Sequence, residues 1–320
     1  MLKANQAVRL GLRASSRNPE LAFGKALLDQ GGNLLALLPV LLIGLFLFAL
    51  SSGEALTAVL RAAVALQRAR WALAGASVAA AALSWVANVC FWSGAIPLLA
   101  ADAEMNARPP RGNFMLLVGR GFGRVAPTAF VASALSTLSG VTFLVAFLAG
   151  IPALVLRPSA RLAAGSALVL TTAVFASVLI DLLGRLMLVR SAAFADGVSA
   201  AFGSAARLLG ARLGALLAIT VAFLVLEIVA VTASAAIGGM LSGGLDLDPR
   251  RELLVLAPRA ALAIAFAAVF AWIEVAKQAA LAALAADDEG LLEPVVEAVP
   301  VEAIAVAEPV VEALPVPEDE

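Results

Sequence analysis

The chain has 320 residues, 62% of them hydrophobic and 14% charged, with a mean hydropathy of +0.99. Water-soluble domains are closer to about 45–50% apolar and about 25% charged, so water is excluded as the solvent for most of this surface. The net charge of −1 hides a split: eleven of the 23 acidic residues lie from Asp287 onward, where no Lys or Arg occurs, leaving 22 basic against 12 acidic residues before it, a net of +10. A basic body of this kind fits the anionic headgroups of a lipid bilayer rather than nucleic acid. The single cysteine, Cys90, excludes an internal disulfide. The absence of histidine removes the commonest general base and metal ligand. No metal and no cofactor is expected.

Residues 1–32 read as a basic amphipathic segment on the cytoplasmic side, with Arg13 and Arg17 placed to meet lipid headgroups. A spanning helix needs about 20 mostly apolar residues. The first such run is 33–53. It is longer and further from the start than the ~7–15 apolar residues of a signal peptide, so it is expected to be retained. The second run, 71–93, is alanine-rich and carries Asn88.

Next comes NFMLLVGRGFGRV, residues 113–125. At 100° per residue, Phe114, Leu117, Val118, Gly121, Phe122 and Val125 share one face, flanked by Arg120 and Arg124. The pattern predicts a helix lying in the membrane interface, phenylalanines toward the acyl chains and arginines toward phosphate. Gly119 and Gly123 share another face, open to a close neighbouring helix. GRGFGR is no dinucleotide fingerprint, because Arg124 stands where the third glycine belongs and no strand precedes it; the Gly-Lys-Ser/Thr end of a Walker loop is missing too.

The third and fourth runs are 126–149 and 162–188, the latter with Asp181 and Arg185 spaced i, i+4 for pairing. Residues 190–213 form another basic approach, with Phe194, Val198, Phe202 and Leu209 on an apolar face and Arg207 opposite; Arg212 ends it. The fifth run, 214–240, carries Glu227 near its middle, the deepest charge in the chain. Asp246 and Asp248 are too few oxygen ligands for a metal. Asp248 is instead placed to cap a helix that opens on Pro249. That helix climbs past a kink at Pro258 into the sixth run, 258–281, where Glu274 and Lys277 are spaced i, i+3 for pairing. Charges at bilayer depth cost roughly 2.5–3.5 kcal/mol on insertion scales, so Glu227, Asp181, Arg185, Glu274 and Lys277, with the polar Asn88, mark an intramembrane site. Residues 287–320 repeat EPVVEA at 293–298 and 308–313 and contain no aromatic residue. Disorder is expected there, as a solvated spacer; the alternative is docking to a protein partner as an added strand or extended peptide.

These elements define an all-α class: a polytopic membrane bundle of about six transmembrane helices (33–286), with basic interfacial helices before the first, third and fifth. A three-fold repeat of one interfacial helix and two spans follows from that arrangement. With the N-terminus inside, inner segments hold 14 Lys/Arg and outer loops 8. That bias predicts both termini in the cytoplasm of a bacterial inner-membrane protein.

RASSRNPELAFGKALL and ADGVSAAFGSAARLLGARLGALLAIT combine small residues, an aromatic and arginines ahead of a span. In this they resemble the multi-pass membrane region of bacterial glycerophosphoryl diester phosphodiesterases and related six-helix proteins. The resemblance implies a six-helix inner-membrane body and no catalytic residue, since the phosphodiesterase domain and its histidines are absent. The expected role is a non-enzymatic membrane scaffold or accessory component that grips anionic lipid through Arg13, Arg17, Arg120, Arg124, Arg207 and Arg212. The competing expectation is a small secondary transporter built around Glu227. A polar cavity would favour the transporter, a dry sealed bundle the scaffold.

Overall fold

The structure, a computed structural model, describes the backbone of residues 2–50, 55–105, 114–156, 160–242 and 249–292. Side chains are described for 2–35, 64, 67–68, 70–102, 114–148, 164–240 and 257–292. The chain forms eight α-helices in these residues: α1 (Ala4–Arg17), α2 (Pro19–Leu50), α3 (Ala55–Met105), α4 (Phe114–Leu156), α5 (Ala160–Ala193), α6 (Val198–Ala211), α7 (Leu213–Ser242) and α8 (Pro249–Asp288). No strand occurs among the described residues. Among the described residues five stretches are long and apolar enough to cross a membrane: Arg70–Asp102, Phe114–Leu148, Ala164–Ala193, Leu213–Met240 and Ala257–Asp288. The first expected span, 33–53, lies largely outside the residues with described side chains.

The bundle has two unlike halves. In one, large apolar side chains face outward: Val78 (69% exposed), Leu148 (61%), Leu168 (69%) and Val229 (60%) are examples. An outward apolar belt of this kind is what lipid requires. In the other half the helices converge on a close-packed core around the end of α8, where every residue from Val275 to Ala286 is buried. Those residues are mostly alanine and leucine with no polar stripe, so the helix can be surrounded on all sides. α1 runs antiparallel along it. The Leu2 N–H donates to Asp287 Oδ2 (2.7 Å) at one end, and Ser15 Oγ donates to the Trp272 carbonyl (3.0 Å) at the other. Gly11 sits between them, so close that a Cβ there would lie 2.3 Å from the Ala276 carbonyl oxygen.

The three approach segments therefore differ from the interfacial helices expected of them. α1 spends its small-residue face, Ala7, Gly11, Ala14 and Ser15, on α8 rather than on lipid. α2 passes through the boundary drawn at 32 without a break, because Gly31 and Gly32 are tolerated inside it. Residues 114–125 are the first three turns of the same helix that continues into the third span, not a separate surface helix. Their apolar face is occupied by α3: Phe114 and Val118 close over Gly94, Gly121 meets the Ser93 carbonyl, and Val125 is fully buried. Gly121 makes the close approach, whereas Gly119 and Gly123 face open space. α6 is a separate helix, but it buries Ala201, Ala205 and Leu208 and leaves Phe202 46% exposed, a face turned from the expected one.

A set of ion pairs ties the compact end together. Arg212 meets Asp287 at 2.8 Å, and Arg190 meets Asp196 at 2.9 Å and Glu289 at 2.6 Å. The α5–α6 turn holds Ala195 at φ 66°, in the left-handed region. Asp246, Asp248 and residues 293–320 lie outside the described residues.

Candidate functional site

Four helices line an open pocket of about 230 Å³, its wall mostly apolar with a few polar and charged side chains. α3 contributes Trp85, Asn88 and Trp92, and α4 contributes Ser133 and Ser136. α5 contributes Asp181 and Arg185, and α8 contributes Glu274 and Gln278. Gly184 lets α5 approach the Ala132 carbonyl of α4 to 3.3 Å from its would-be Cβ, which brings Asp181, about one turn before it, and Arg185, the next residue, up to the wall. One turn or so outward along the same helix pair, Ser139 and Ser177 each donate to the other's carbonyl, at 3.0 and 3.1 Å, and lock the register.

Arg185 is the hinge of the charge pattern. Its Nε donates to Asp181 Oδ2 at 2.8 Å along α5. Its Nη1 lies 3.8 Å from Glu274 Oε1 on α8. Glu274 Oε2 is in turn 3.0 Å from Lys25 Nζ on α2, and that amine also pairs with Asp29. The Lys25 side chain is 5% exposed, whereas its partner Glu274 is 32% exposed. Its ammonium also stands 5.8 Å from the Trp92 ring centroid. Burial pushes the Asp29 carboxyl above the ordinary carboxylate range, against the opposing pull of Lys25. The result is a chain of alternating charge across three helices: Asp181, Arg185, Glu274, Lys25 and Asp29. Counted as ionised, the five groups sum to −1.

Two polar groups of the site differ from the rest. Trp85 Nε1 donates to Ser133 Oγ at 3.1 Å, and Asn88 Nδ2 donates to the Ser84 carbonyl at 3.0 Å, so both are partly satisfied. Gln278, by contrast, is 2% exposed and its Oε1 has no hydrogen-bond partner among the described residues. A buried acceptor left in that state costs about 1–3 kcal/mol.

The residues singled out in the sequence are thus partly brought together. Asp181, Arg185, Glu274 and Asn88 line one cavity. The i, i+4 pair Asp181–Arg185 forms. The expected Glu274–Lys277 pair does not: Glu274 points to Lys25 and Arg185, and no carboxylate oxygen lies within 4.0 Å of Lys277 among the described residues. Glu227 is outside the cavity wall, on α7, near enough to interact electrostatically with Arg185 and Lys277. Lys25, Trp85 and Gln278 were missed. Lys25 sits ahead of the first span, where a basic residue reads as a topology signal, and Gln278 carries no charge to draw attention.

Of the arginines expected at lipid headgroups, Arg13, Arg120, Arg124 and Arg207 are exposed. Arg124 Nε donates to the Ser191 carbonyl at 3.3 Å. Arg17 and Arg212 are engaged by protein carboxylates, Asp102 at 3.6 Å and Asp287 at 2.8 Å. No group of three His, Cys, Asp or Glu side chains able to hold a metal occurs among the described residues. Comparison with family models, curated proteins and solved structures finds no match to the chain.

Proposed function

We propose that this chain is a multi-pass protein of a bacterial cytoplasmic membrane, with both termini inside, that holds a small polar ligand within its bundle. That is the behaviour of a permease or a headgroup-binding carrier. One observation carries the reading: a pocket shared by α3, α4, α5 and α8 whose wall gathers Asp181, Arg185 and Glu274. A sealed scaffold has no use for such a cavity, and apolar side chains would fill it at lower cost. Asp181, Arg185 and Glu274 are the charged groups at the pocket, and Glu227 lies outside its wall. The reading is non-catalytic, because both carboxylates are engaged by Arg185 or Lys25 rather than set against each other as an acid and a base.

The test is ligand-dependent stabilisation of the purified full chain in detergent. A solute present at 100 times its Kd stabilises the folded state by about 2.7 kcal/mol. At roughly 2–4 °C per kcal/mol for a chain of this size, Tm rises by about 5–10 °C. A broad panel of polar solutes and lipids that leaves Tm unmoved overturns the reading.

The scaffold reading keeps one supporting observation, the exposed Arg13, Arg120, Arg124 and Arg207. It expects retention of anionic phospholipid through purification, lost when these four are changed to Gln. Under either reading the acidic segment 293–320 is the docking segment for a protein partner, and its deletion is expected to abolish co-purification of that partner.

A further inference from the structure

The position of the pocket along the bundle names its ligand class, granted the proposal that the pocket binds a ligand at all. The helices that line it carry long stretches without charge. On α8 none lies between Arg259 and Glu274, fifteen residues apart. On α3 none lies between Arg70 and Asn88, eighteen apart, and on α5 none between Arg161 and Asp181, twenty apart. At about 1.5 Å per residue these stretches span about 22–30 Å, close to the ~30 Å of a bilayer's hydrocarbon core. Their side chains belong to the outward apolar belt, Leu168 and Ile264 among them. At one boundary the Arg70 guanidinium stands 5.4 Å from the ring centroid of exposed Trp71. A basic residue beside an aromatic one is the pattern of a membrane interface. The other boundary is the level of Asn88, Asp181 and Glu274, and that is the level of the pocket.

The pocket opens toward the belt. Val89, Trp92 and Ala129, on its compact side, are buried. Trp85, Ser133 and Ser136, one to two turns toward the belt on the same two helices, are half-buried or exposed. Arg185 and Asp181 keep side-chain exposures of 25% and 35%. A molecule entering by that mouth comes from the lipid and carries an apolar body behind a polar end. Arg185 sets the polar end. Among the described residues only its Nε makes a hydrogen bond, to Asp181, and Nη1 stands 3.8 Å from Glu274, beyond hydrogen-bond reach. Its terminal nitrogens offer the planar donor edge that takes a phosphate. Asp181 and Glu274, each already beside a cation, add acceptors for the hydroxyl or amine groups that lie beyond the phosphate in a headgroup.

We infer that the pocket lies at the headgroup layer, with the compact end beyond it outside the hydrocarbon, and holds one membrane phospholipid. The phosphodiester meets Arg185, and the acyl chains run along the apolar belt.

The full chain is reconstituted in nanodiscs of phosphatidylglycerol, phosphatidylethanolamine and a phosphate-free galactosyl diacylglycerol in equal amounts. Detergent strips the loose lipid, and native mass spectrometry counts what stays. One phospholipid per chain is expected, about tenfold over the galactolipid. Arg185→Gln brings the two to parity. Ser136→Trp, at an exposed position in the mouth, lowers phospholipid retention by a similar factor and keeps the inference testable if Arg185→Gln fails to fold. Equal retention of the galactolipid in the wild type overturns the inference. So does phospholipid that survives both variants and is lost only when Arg13, Arg120, Arg124 and Arg207 are changed to Gln. Glycerol phosphate, titrated in detergent, separates this inference from the reading it rests on. Its binding without any retained phospholipid overturns the lipid while the pocket still binds, and absence of any bound species overturns the pocket reading itself. Depth is checked with nitroxide labels at Ser136→Cys and Leu144→Cys, each with Cys90→Ser. Collisions with oxygen and with a water-soluble nickel complex should place the first near the headgroups and the second among the acyl chains; equal depth overturns the placement.

Discussion

Gly11→Ala should detach α1 from α8. A Cβ at this position would lie 2.3 Å from the Ala276 carbonyl oxygen, 2.8 Å from Ala280 Cβ and 2.9 Å from the Ala280 nitrogen. Two of the three are backbone atoms and cannot rotate away. Ordinary contact begins near 3.4 Å, so α1 must withdraw by roughly 1 Å, a gap that forfeits about a quarter to a half of each dispersion contact along the seam. Overpacking of this kind costs about 1–3 kcal/mol, and the backbone clash places it at the upper end. The gain in helix propensity from glycine to alanine is about 1 kcal/mol. The net loss is about 2 kcal/mol, or roughly 30-fold in the docking equilibrium. Hydrogen exchange in detergent reads it directly: protection of the α1 amides should fall by that factor while the middle of α5 is unchanged. Gly123→Ala is the control, because no atom lies within 4 Å of its Cβ position and only the propensity gain applies. If Gly11→Ala behaves like Gly123→Ala, the reading of α1 as a docked element is wrong.

Other substitutions probe the ion pairs and the α5–α6 turn. Lys25→Met leaves Asp29 and Glu274 without their shielded cation and should cost about 3–5 kcal/mol, read as a fall in Tm; adding Glu274→Gln should recover part of it, and strict additivity of the two would refute the pairing. Arg212→Gln removes the partner of Asp287, which also accepts the Leu2 N–H, and should expose the first residues of the chain to protease without lowering protection in the middle of α7. Ala195→Gly relieves a left-handed alanine that costs about 1–2 kcal/mol against about 1 kcal/mol of added chain entropy; Tm should stay level or rise by a few degrees, and a clear fall would show that φ 66° is not strained here.

The outlines of the helices were legible because apolar length is a local property. Runs of about 20 residues give the spans at Arg70–Asp102, Phe114–Leu148, Ala164–Ala193, Leu213–Met240 and Ala257–Asp288 almost where composition places them. The Asp181–Arg185 pair was legible for the same reason: both ends lie on one turn of one helix. What a helical wheel cannot give is the identity of the neighbour. Phe114, Val118 and Val125 do share a face, yet that face meets α3 and not the acyl chains, and periodicity is the same for both. Glu274 had two cations available, Lys277 three residues away and Lys25 on α2, and tertiary packing chose the distant one. One signal was present and unused. The run from Val275 to Ala286 contains small residues on every side, which marks a helix enclosed by protein rather than one with a single buried stripe.

The energetics of the charge chain argue for a role in binding. Lys25, Arg185 and Glu274 meet at the convergence of three helices, where each ion loses part of its hydration. Replacing buried ion pairs of this type by apolar side chains is often neutral or stabilising by about 1–4 kcal/mol, so the cluster is a poor device for holding helices together. The reciprocal Ser139–Ser177 bonds and the Gly184–Ala132 contact already fix α4 on α5 without charge. The α1–α8 seam likewise runs on alanine and glycine. Packing along these two seams is thus supplied by small residues, while Asp181, Arg185 and Glu274 gather at the pocket. That division is economical only if something enters to complete the set. A ligand group that pairs with the guanidinium of Arg185 would complete the set, and the folded state would then be most stable when occupied.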